Sequence, residues 1–339
     1  MMRPHGRQQN EAFVFVGETA MPFRYPPDRA EPPTLRSQAD ASCSGVVAYE
    51  EGADYLVDYE RGTIRRTQRS RIPDGALHPL HGAVRFDHTN IECSNRAYTV
   101  YADYRIAGTD DGETPALEQA RGVKPRRRLG KGKDGRDAVY VVLGDSISAG
   151  GDASDEKYMY FNRFLNYVNE RDEGGAVRLI NKSLGGETSA GGLKRIREDV
   201  AALRPTLVSI AYGMNDQNLY EAGPEVDPAA YASHLRAMIA CLREIPECEI
   251  VLVTPCPPHP DWKHASGRSG EYADAVLRLA AECGVGVADV HAAWLRELAA
   301  GKTPDCLLLN HINHPNDYGH QIYYETLAEW FETRETHSI

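Results

Sequence analysis

No stretch of this sequence approaches the roughly 18 consecutive apolar residues that a membrane-spanning helix needs. Its first ten residues, Met1 to Asn10, carry basic side chains but lack the apolar core of a secretory signal. No repeat of roughly 20 to 50 residues is visible either. These features predict a protein without a membrane partner, and we expect a cytoplasmic location.

The spacing of the cysteines in the sequence matches neither a disulfide framework nor a zinc site. There are seven, an odd number, and no two have Cys-x-x-Cys spacing. Cys241 and Cys248 are the closest pair, and they flank a predicted turn between a helix and a strand. We therefore expect free thiols, as in proteins of a reducing compartment.

Positive charge is also scarce. The chain has 38 Lys and Arg against 49 Asp and Glu, a formal net charge of −11, which disfavours binding to nucleic acid. The basic cluster between Lys124 and Lys133 lies in a Gly-rich connector, where a solvent-exposed joint is a better interpretation than a phosphate site. With 42% hydrophobic residues, the chain can bury the cores of two domains.

The first part of the chain, residues 1–115, predicts a small all-β sandwich. Short runs rich in aromatic and β-branched residues alternate with proline-rich segments, and no helical period persists. Residues 116–137 read as a linker, and residues 138–335 as a second domain. The predicted strands of the first domain are Phe13–Val16, Tyr55–Tyr59, Gly62–Thr67 (forming a hairpin with the preceding strand), Ala83–Phe86 and Tyr98–Ile106.

The second domain alternates buried strands with amphipathic helices. This pattern is typical of an α/β fold with a doubly wound, five-stranded parallel sheet and helices on both faces. The predicted strands are Ala138–Leu143, Val177–Asn181, Thr206–Tyr212, Glu249–Thr254 and Val285–Asp289. The predicted helices lie near 156–171, 190–203, 227–244, 271–282 and 317–333.

Four polar loops follow these strands. They are Gly144-Asp145-Ser146, Ser183–Gly192, Gly213–Asp216 and, past the fifth strand, Asn310–Asp317. Open α/β sheets place their chemistry at the carboxyl ends of the strands. A serine there needs a base to become a nucleophile, and histidine suits that role near neutral pH. A glycine N–H and an asparagine amide can hold the oxyanion that then develops.

These loops resemble the four signature blocks of the SGNH hydrolases, also called GDSL-type esterases. The resemblance implies a flavodoxin-like fold, Ser146 as the nucleophile, His314 as the base, and Gly186 and Asn215 as oxyanion donors. Taken alone, Gly186 also fits a tight turn and Asn215 a helix cap. The ordered set of blocks is what carries the assignment.

One block departs from the family pattern. The family often has an aspartate three residues before the histidine, but this chain has His311 three residues before His314. Asp305 or Asp317 could complete a triad, although neither has the usual spacing. Alternatively, Ser146 and His314 act as a dyad in which a main-chain carbonyl orients the imidazole, which is the hypothesis we favour.

A zinc site is the alternative chemistry. His259, His264, His311 and His314 are its candidate ligands, and His311-x-x-His314 is close to a ligand spacing. No acidic or cysteine cluster completes such a site at the usual separations. We therefore expect neither a metal nor another cofactor.

The expected substrate is a small-molecule or oligosaccharide ester. The loop Pro255–His264 follows the fourth strand and, with Trp262 and Tyr212, suits stacking on a sugar better than holding a fatty chain. A β-sandwich joined to an SGNH domain also resembles two-domain carbohydrate acetylesterases. The alternatives are a lysophospholipase or thioesterase, or an inert glycan-binding protein. The sequence is also compatible with a homo-oligomer.

Overall fold

The computed structural model describes residues 6–89, 91–108, 129, 137–171 and 176–333. Most of the predicted linker, including its basic cluster, therefore lies outside the described residues. The chain divides into two compact units. The β unit comprises Met2–Lys124 and Leu295–Gly319, and the α/β unit comprises Pro125–Trp294 and His320–Ile339.

The N-terminal part of the β unit is all-β, as predicted. The strands are β1 (Arg7–Phe13), β2 (Met21–Pro22), β3 (Thr34–Arg36), β4 (Ala48–Tyr49), β5 (Tyr55–Asp58), β6 (Thr63–Arg66) and β7 (Val100–Arg105). They form two antiparallel sheets, of order β1-β7-β3-β4 and β2-β6-β5. Short 3-10 turns occur at Gly75–Leu77 and Asn95–Ala97.

The predicted hairpin is confirmed, with Asp58 paired to Thr63 in the β5–β6 ladder. Two other predictions for this unit are wrong. Ala83–Phe86 forms no strand, and the first strand ends rather than begins at Phe13. The first strand was missed because its polar residues are core residues here: Glu11 is fully buried and pairs with Lys302 at 2.6 Å.

The domain boundaries themselves stay a prediction. The boundary between the first domain and the linker falls outside the described residues. The compact units add one finding: Leu295–Gly319, a segment near the C-terminus, belongs to the same unit as the N-terminal strands. This segment carries His314.

The α/β unit contains the predicted five-stranded parallel sheet. The strands of this unit are β8 (Val139–Gly144), β9 (Arg178–Asn181), β10 (Leu207–Ala211), β11 (Leu219–Tyr220), β12 (Gly223–Pro224), β13 (Glu249–Val253) and β14 (Gly286–Ala288). The order in the parallel sheet is β14-β13-β10-β8-β9, and β11 and β12 form a small hairpin after β10. The helices are α1 (Tyr160–Arg171), α2 (Ser189–Arg195), α3 (Pro228–Leu242), α4 (Ser269–Cys283), α5 (Val290–Ala299) and α6 (Asp317–Thr333). Of these, α5 after Trp294 and α6 up to Gly319 are assigned to the β unit.

Helices cover both faces of the sheet, which confirms the doubly wound fold. Val141 of β8 belongs to the core that α3 and α4 form on one face. On the other face, Tyr140 packs edge-on against Phe164 of α1, and Phe164 packs against Phe331 of α6. Among the described helices, none combines the length and apolar character needed to cross a membrane. None of the seven cysteines, all of which are among the described residues, forms a disulfide.

Candidate active site

The serine lies in a tight turn at the end of β8. Asp145 shapes this turn, because its Oδ1 accepts a hydrogen bond from the Ile147 N–H at 3.0 Å and its carbonyl accepts one from Ala149 at 2.9 Å. The Ser146 carbonyl accepts from the Gly151 N–H at 2.9 Å. Asp145 is buried and holds the backbone that presents Ser146, whose side chain stays half-buried.

The glycine before this turn is required by packing. A Cβ at Gly144 would lie 2.5 Å from the Ala211 carbonyl oxygen and 2.5 Å from the Ser148 hydroxyl. These separations are far inside ordinary contact distances, so any side chain at Gly144 would push β8 away from β10. The Gly144 carbonyl in turn accepts from the Leu184 N–H at 3.0 Å, which ties the next loop to the serine turn.

The loop after β9 passes directly against the serine. A Cβ at Gly185 would lie 3.9 Å from the Cβ of Ser146, in ordinary contact. The following Gly186 has φ of +75°, a left-handed conformation that a side chain disfavours. This glycine turn can therefore bring backbone N–H groups close to the serine without steric interference.

The asparagine after β10 joins the same cluster. Its Nδ2 donates to the Glu187 carbonyl at 3.0 Å, which fixes the amide beside the glycine turn. An amide nitrogen carries two hydrogens, so Asn215 retains a second one for an oxyanion. The neighbouring Asp216 serves α2: its carboxylate accepts the first N–H of this helix, from Ser189, at 3.0 Å, a bond that the side chain of the N-cap residue Thr188 does not make.

A half-buried ion pair between Arg195 and Glu187, which the sequence alone does not indicate, supports the glycine turn. Arg195 Nε donates to the Glu187 carboxylate at 2.8 Å, and the Tyr212 hydroxyl donates to it at 2.6 Å. The hydrogen bond that Arg195 donates to Glu187 raises the pKa of Arg195. Burial raises the pKa of the Tyr212 hydroxyl. Glu187 thus holds the glycine turn through its side chain and Asn215 through its carbonyl.

We expect Glu187→Gln to lower kcat by about tenfold, because misplacing the oxyanion donors removes part of their stabilisation of the transition state. KM should change little. Steady-state hydrolysis of p-nitrophenyl acetate measures this. Glu244→Gln is the matched control, since Glu244 pairs with Arg197 at an exposed site at 2.9 Å. Equal kcat in both variants would contradict the role of Glu187.

His314 lies in the β unit, in a loop whose two ends are joined by backbone pairing. Its carbonyl accepts from the Leu309 N–H at 2.8 Å, and Leu308 pairs with Pro315. The Asn310 Oδ1 accepts the His314 N–H at 2.9 Å, as well as the N–H groups of two preceding residues. The backbone of the histidine is therefore fixed on both sides.

The other histidines and acids of this region have structural contacts. Asp305 accepts from Nδ1 of His311 at 2.5 Å, and His311 has the unusual φ of 60°. Asp317 is the buried first residue of α6. In the α/β unit, Nε2 of His320 lies 3.2 Å from the carbonyl oxygen of Gly151, the residue that bonds to the Ser146 carbonyl.

Of the predicted site residues, the α/β unit brings together Ser146, Gly186 and Asn215, and the β unit holds His314. The candidate metal ligands divide in the same way. His259 and His264 belong to the α/β unit, and His311 belongs with His314 to the β unit.

The predicted sugar-stacking rings need correction. Tyr212 is 1% exposed and packs in the sheet core, because its hydroxyl reaches inward to Glu187. Trp262 is only 6% exposed. Tyr220, on the hairpin after Asn215, is instead exposed at 48%.

Known proteins resemble this chain over its C-terminal part. The model of the GDSL-like lipase/acylhydrolase family matches residues 142–322. The fold is similar to that of Axe2, an acetylxylan esterase from Geobacillus stearothermophilus, with a TM-score of 0.50 and 23% identity, covering 62% of this chain and 98% of Axe2.

Two curated relatives match shorter segments. A human isoamyl acetate-hydrolyzing esterase 1 homolog is 31% identical over 102 residues, covering 25% of this chain and 41% of the relative. Esterase TesA of Pseudomonas aeruginosa is 42% identical over 78 residues, covering 22% of this chain and 36% of the relative. The chain thus spans less than half the length of either. Because the family match covers more than half of this chain, the protein belongs to the GDSL-like lipase/acylhydrolase family.

Proposed function

We propose that this protein is a serine esterase that removes a short acyl group, in particular acetyl, from a carbohydrate ester. The observation that carries the proposal is the convergence of three strand ends: the glycine turn passes beside Ser146, and Asn215 is bonded to Glu187, the residue that follows this turn. A nucleophile beside two kinds of oxyanion donor is the arrangement that acyl transfer needs.

The proposed reaction has two steps. His314 takes the Ser146 proton as the oxygen attacks the acyl carbonyl, and the Ser146 and Gly186 N–H groups and the Asn215 amide hold the oxyanion. The C–O bond to the alcohol then breaks, and the imidazolium returns its proton to the departing alcohol. Water, deprotonated by His314, then attacks the acyl-serine. The bond between the acyl carbon and Ser146 Oγ breaks, the imidazolium returns its proton to Oγ, and the carboxylic acid is released.

The choice of His314 is supported by its sequence block, which follows the serine, glycine and asparagine blocks in the order of the SGNH pattern. We propose a Ser146–His314 dyad in which a main-chain carbonyl orients the imidazole. The bond between Asp305 and His311 favours this over a triad that includes Asp305.

The names of the similar proteins support an acetyl substrate. Axe2 is described as an acetylxylan esterase, and the human relative as an isoamyl acetate-hydrolyzing esterase homolog. Both substrates carry acetyl on an oxygen leaving group. The exposed ring of Tyr220 offers a face on which a sugar can stack.

A chain-length series tests this proposal. We expect kcat/KM for p-nitrophenyl esters to fall at least tenfold from acetyl to octanoyl, and acetylated xylo-oligosaccharides to release acetate. Faster turnover of long acyl esters, lysophospholipids or acyl thioesters would contradict the acetyl assignment and favour a lysophospholipase or thioesterase. No turnover of any ester, together with no labelling by a fluorophosphonate, would indicate an inert binding protein.

A further inference from the structure

We infer that Asn95, from the N-terminal part of the β unit, positions the loop that carries His314. The all-β part of the chain would then be a support for the catalytic base rather than an appended binding module. This inference rests on the proposed function in taking His314 as the base. Asn95 itself is a positioning residue, because it acts through the loop backbone.

Asn95 makes three direct bonds to the histidine-bearing segment. Its backbone N–H donates to the Leu309 carbonyl at 2.6 Å. Its side-chain Nδ2 donates to the Leu308 carbonyl at 2.8 Å and to the Asp305 carboxylate at 3.0 Å. Asn95 is 1% exposed, so these bonds are shielded from water and strongly orient the groups they join.

The two leucines that accept these bonds are themselves paired with His314 and with the residue after it. The Leu309 carbonyl accepts from Asn95, and the Leu309 N–H donates to the His314 carbonyl at 2.8 Å. Leu308, whose carbonyl also accepts from Asn95, pairs with Pro315 directly after the histidine. A shift of the two leucines therefore moves the backbone on both sides of His314.

The same N-terminal region fixes the middle of the loop. The His311 ring stacks on His78 with ring centroids 4.5 Å apart, and it lies 5.0 Å from the Phe86 ring. Asp305 bonds at the same oxygen to Nδ1 of His311 and to Asn95. The left-handed backbone of His311 costs energy, and such conformations persist where surrounding contacts hold them.

Two buried ion pairs anchor the start of this segment to the N-terminal strands. Lys302 pairs with Glu11 at 2.6 Å, and Arg24 pairs with Glu297 at 3.0 Å; all four side chains are nearly or completely buried. Asn95 thus acts on a segment whose beginning is already fixed. What it adds is the position of the final turn before His314.

Asn95→Leu tests this role, because leucine has a similar shape but cannot donate to Leu308 or Asp305. We expect kcat for p-nitrophenyl acetate to fall 10- to 100-fold, since a displacement of about 1 Å in a catalytic group has an effect of that size. KM should change less than about threefold, because no substrate contact is removed. If N95L does not fold, the same measurements are made on Asn95→Ser, which has a smaller polar side chain.

The matched control is Ile64→Ala, which removes a buried side chain from β6, a strand that does not bear the histidine loop. It should lower Tm by at least as much as N95L while kcat of the folded enzyme stays within twofold. A loss of kcat in I64A equal to that in N95L would mean that general destabilisation explains both, and would overturn the inference.

A charge test distinguishes positioning from simple loss of packing. In N95D a carboxylate faces the Asp305 carboxylate and the Leu308 carbonyl, so kcat should fall further than in N95L. Adding D305N removes the like-charge contact and should recover kcat at least threefold relative to N95D. No recovery would contradict the inference.

Hydrogen–deuterium exchange provides a readout that does not depend on activity. Amides of residues 307–316 should exchange at least tenfold faster in N95L than in I64A. Unchanged exchange would overturn the inference even if the proposed function holds. A different outcome is faster exchange in N95L combined with full activity of a His314→Ala variant. This result would show that Asn95 orders the loop. It would refute the proposed function, and with it the role of Asn95 in catalysis.

Discussion

Ser146→Ala is expected to lower kcat for p-nitrophenyl acetate by about 10⁴-fold or more. Without the hydroxyl no acyl-enzyme forms, and the oxyanion donors alone supply only the residual catalysis seen when a serine nucleophile is removed. The half-buried side chain lies at the end of β8, in a turn whose shape comes from Asp145, so Tm should stay close to that of the wild type.

Ser148→Ala is the matched control in the same turn. The Ser148 hydroxyl bonds to the Tyr160 hydroxyl at 2.8 Å and is completely buried, so its loss should cost about 1 kcal/mol of stability. Its kcat should stay within about threefold of the wild type, because Ser148 takes no part in the proposed reaction. Ser146→Ala with more than a tenth of wild-type activity would exclude Ser146 as the nucleophile.

His314→Ala is expected to have the second largest effect, a fall in kcat of about 10⁴-fold or more. The serine hydroxyl is a weak nucleophile without a base, and in serine enzymes losing the base costs about as much as losing the nucleophile. The double variant with Ser146→Ala should be no slower than either single variant, because the two groups act in one step. Initial rates at high enzyme concentration measure all three.

His264→Ala is the control for histidine loss. His264 lies in the loop after β13 and bonds through Nδ1 to the Leu219 carbonyl at 3.0 Å, so its removal should change kcat by only a few-fold. Strictly additive losses in the double variant, or a His314→Ala enzyme within tenfold of the wild type, would contradict the role of His314 as the base.

The fold and part of the site follow from local sequence patterns. The five parallel strands are short apolar runs that end in polar or glycine-rich turns, and all five were predicted. The glycines of two blocks have a structural reason: a Cβ at Gly144 would clash with the Ala211 carbonyl, and the left-handed φ of Gly186 disfavours a side chain. Ser146, Gly186 and Asn215 are identifiable together because their blocks resemble those of the SGNH hydrolases and follow one another in the same order.

What was missed depends on contacts between distant residues. Strand β1 looks polar until Glu11 is paired with Lys302, which lies near the other end of the chain. The bonds of Asn95 to Asp305 and Leu308 span more than 200 residues, so no local pattern indicates them. Tyr212 was expected in contact with a sugar, but its hydroxyl is used internally by Glu187.

Helix α5 was also missed, for a local reason. It begins at Val290 directly after β14, and no proline or glycine separates the two elements. Asp289 makes the transition, accepting from the Ala292 N–H at 3.1 Å. An aspartate at the end of a strand pattern is compatible with both a turn and a helix cap.

The most direct test of the account is the site and rate of fluorophosphonate labelling, read by mass spectrometry of peptides from the whole protein. We predict one adduct per chain, on the Ser146 hydroxyl, with labelling at least a thousandfold slower in the His314→Ala variant. An adduct on another residue, or equal labelling rates with and without His314, would contradict the proposal that this imidazole activates this serine.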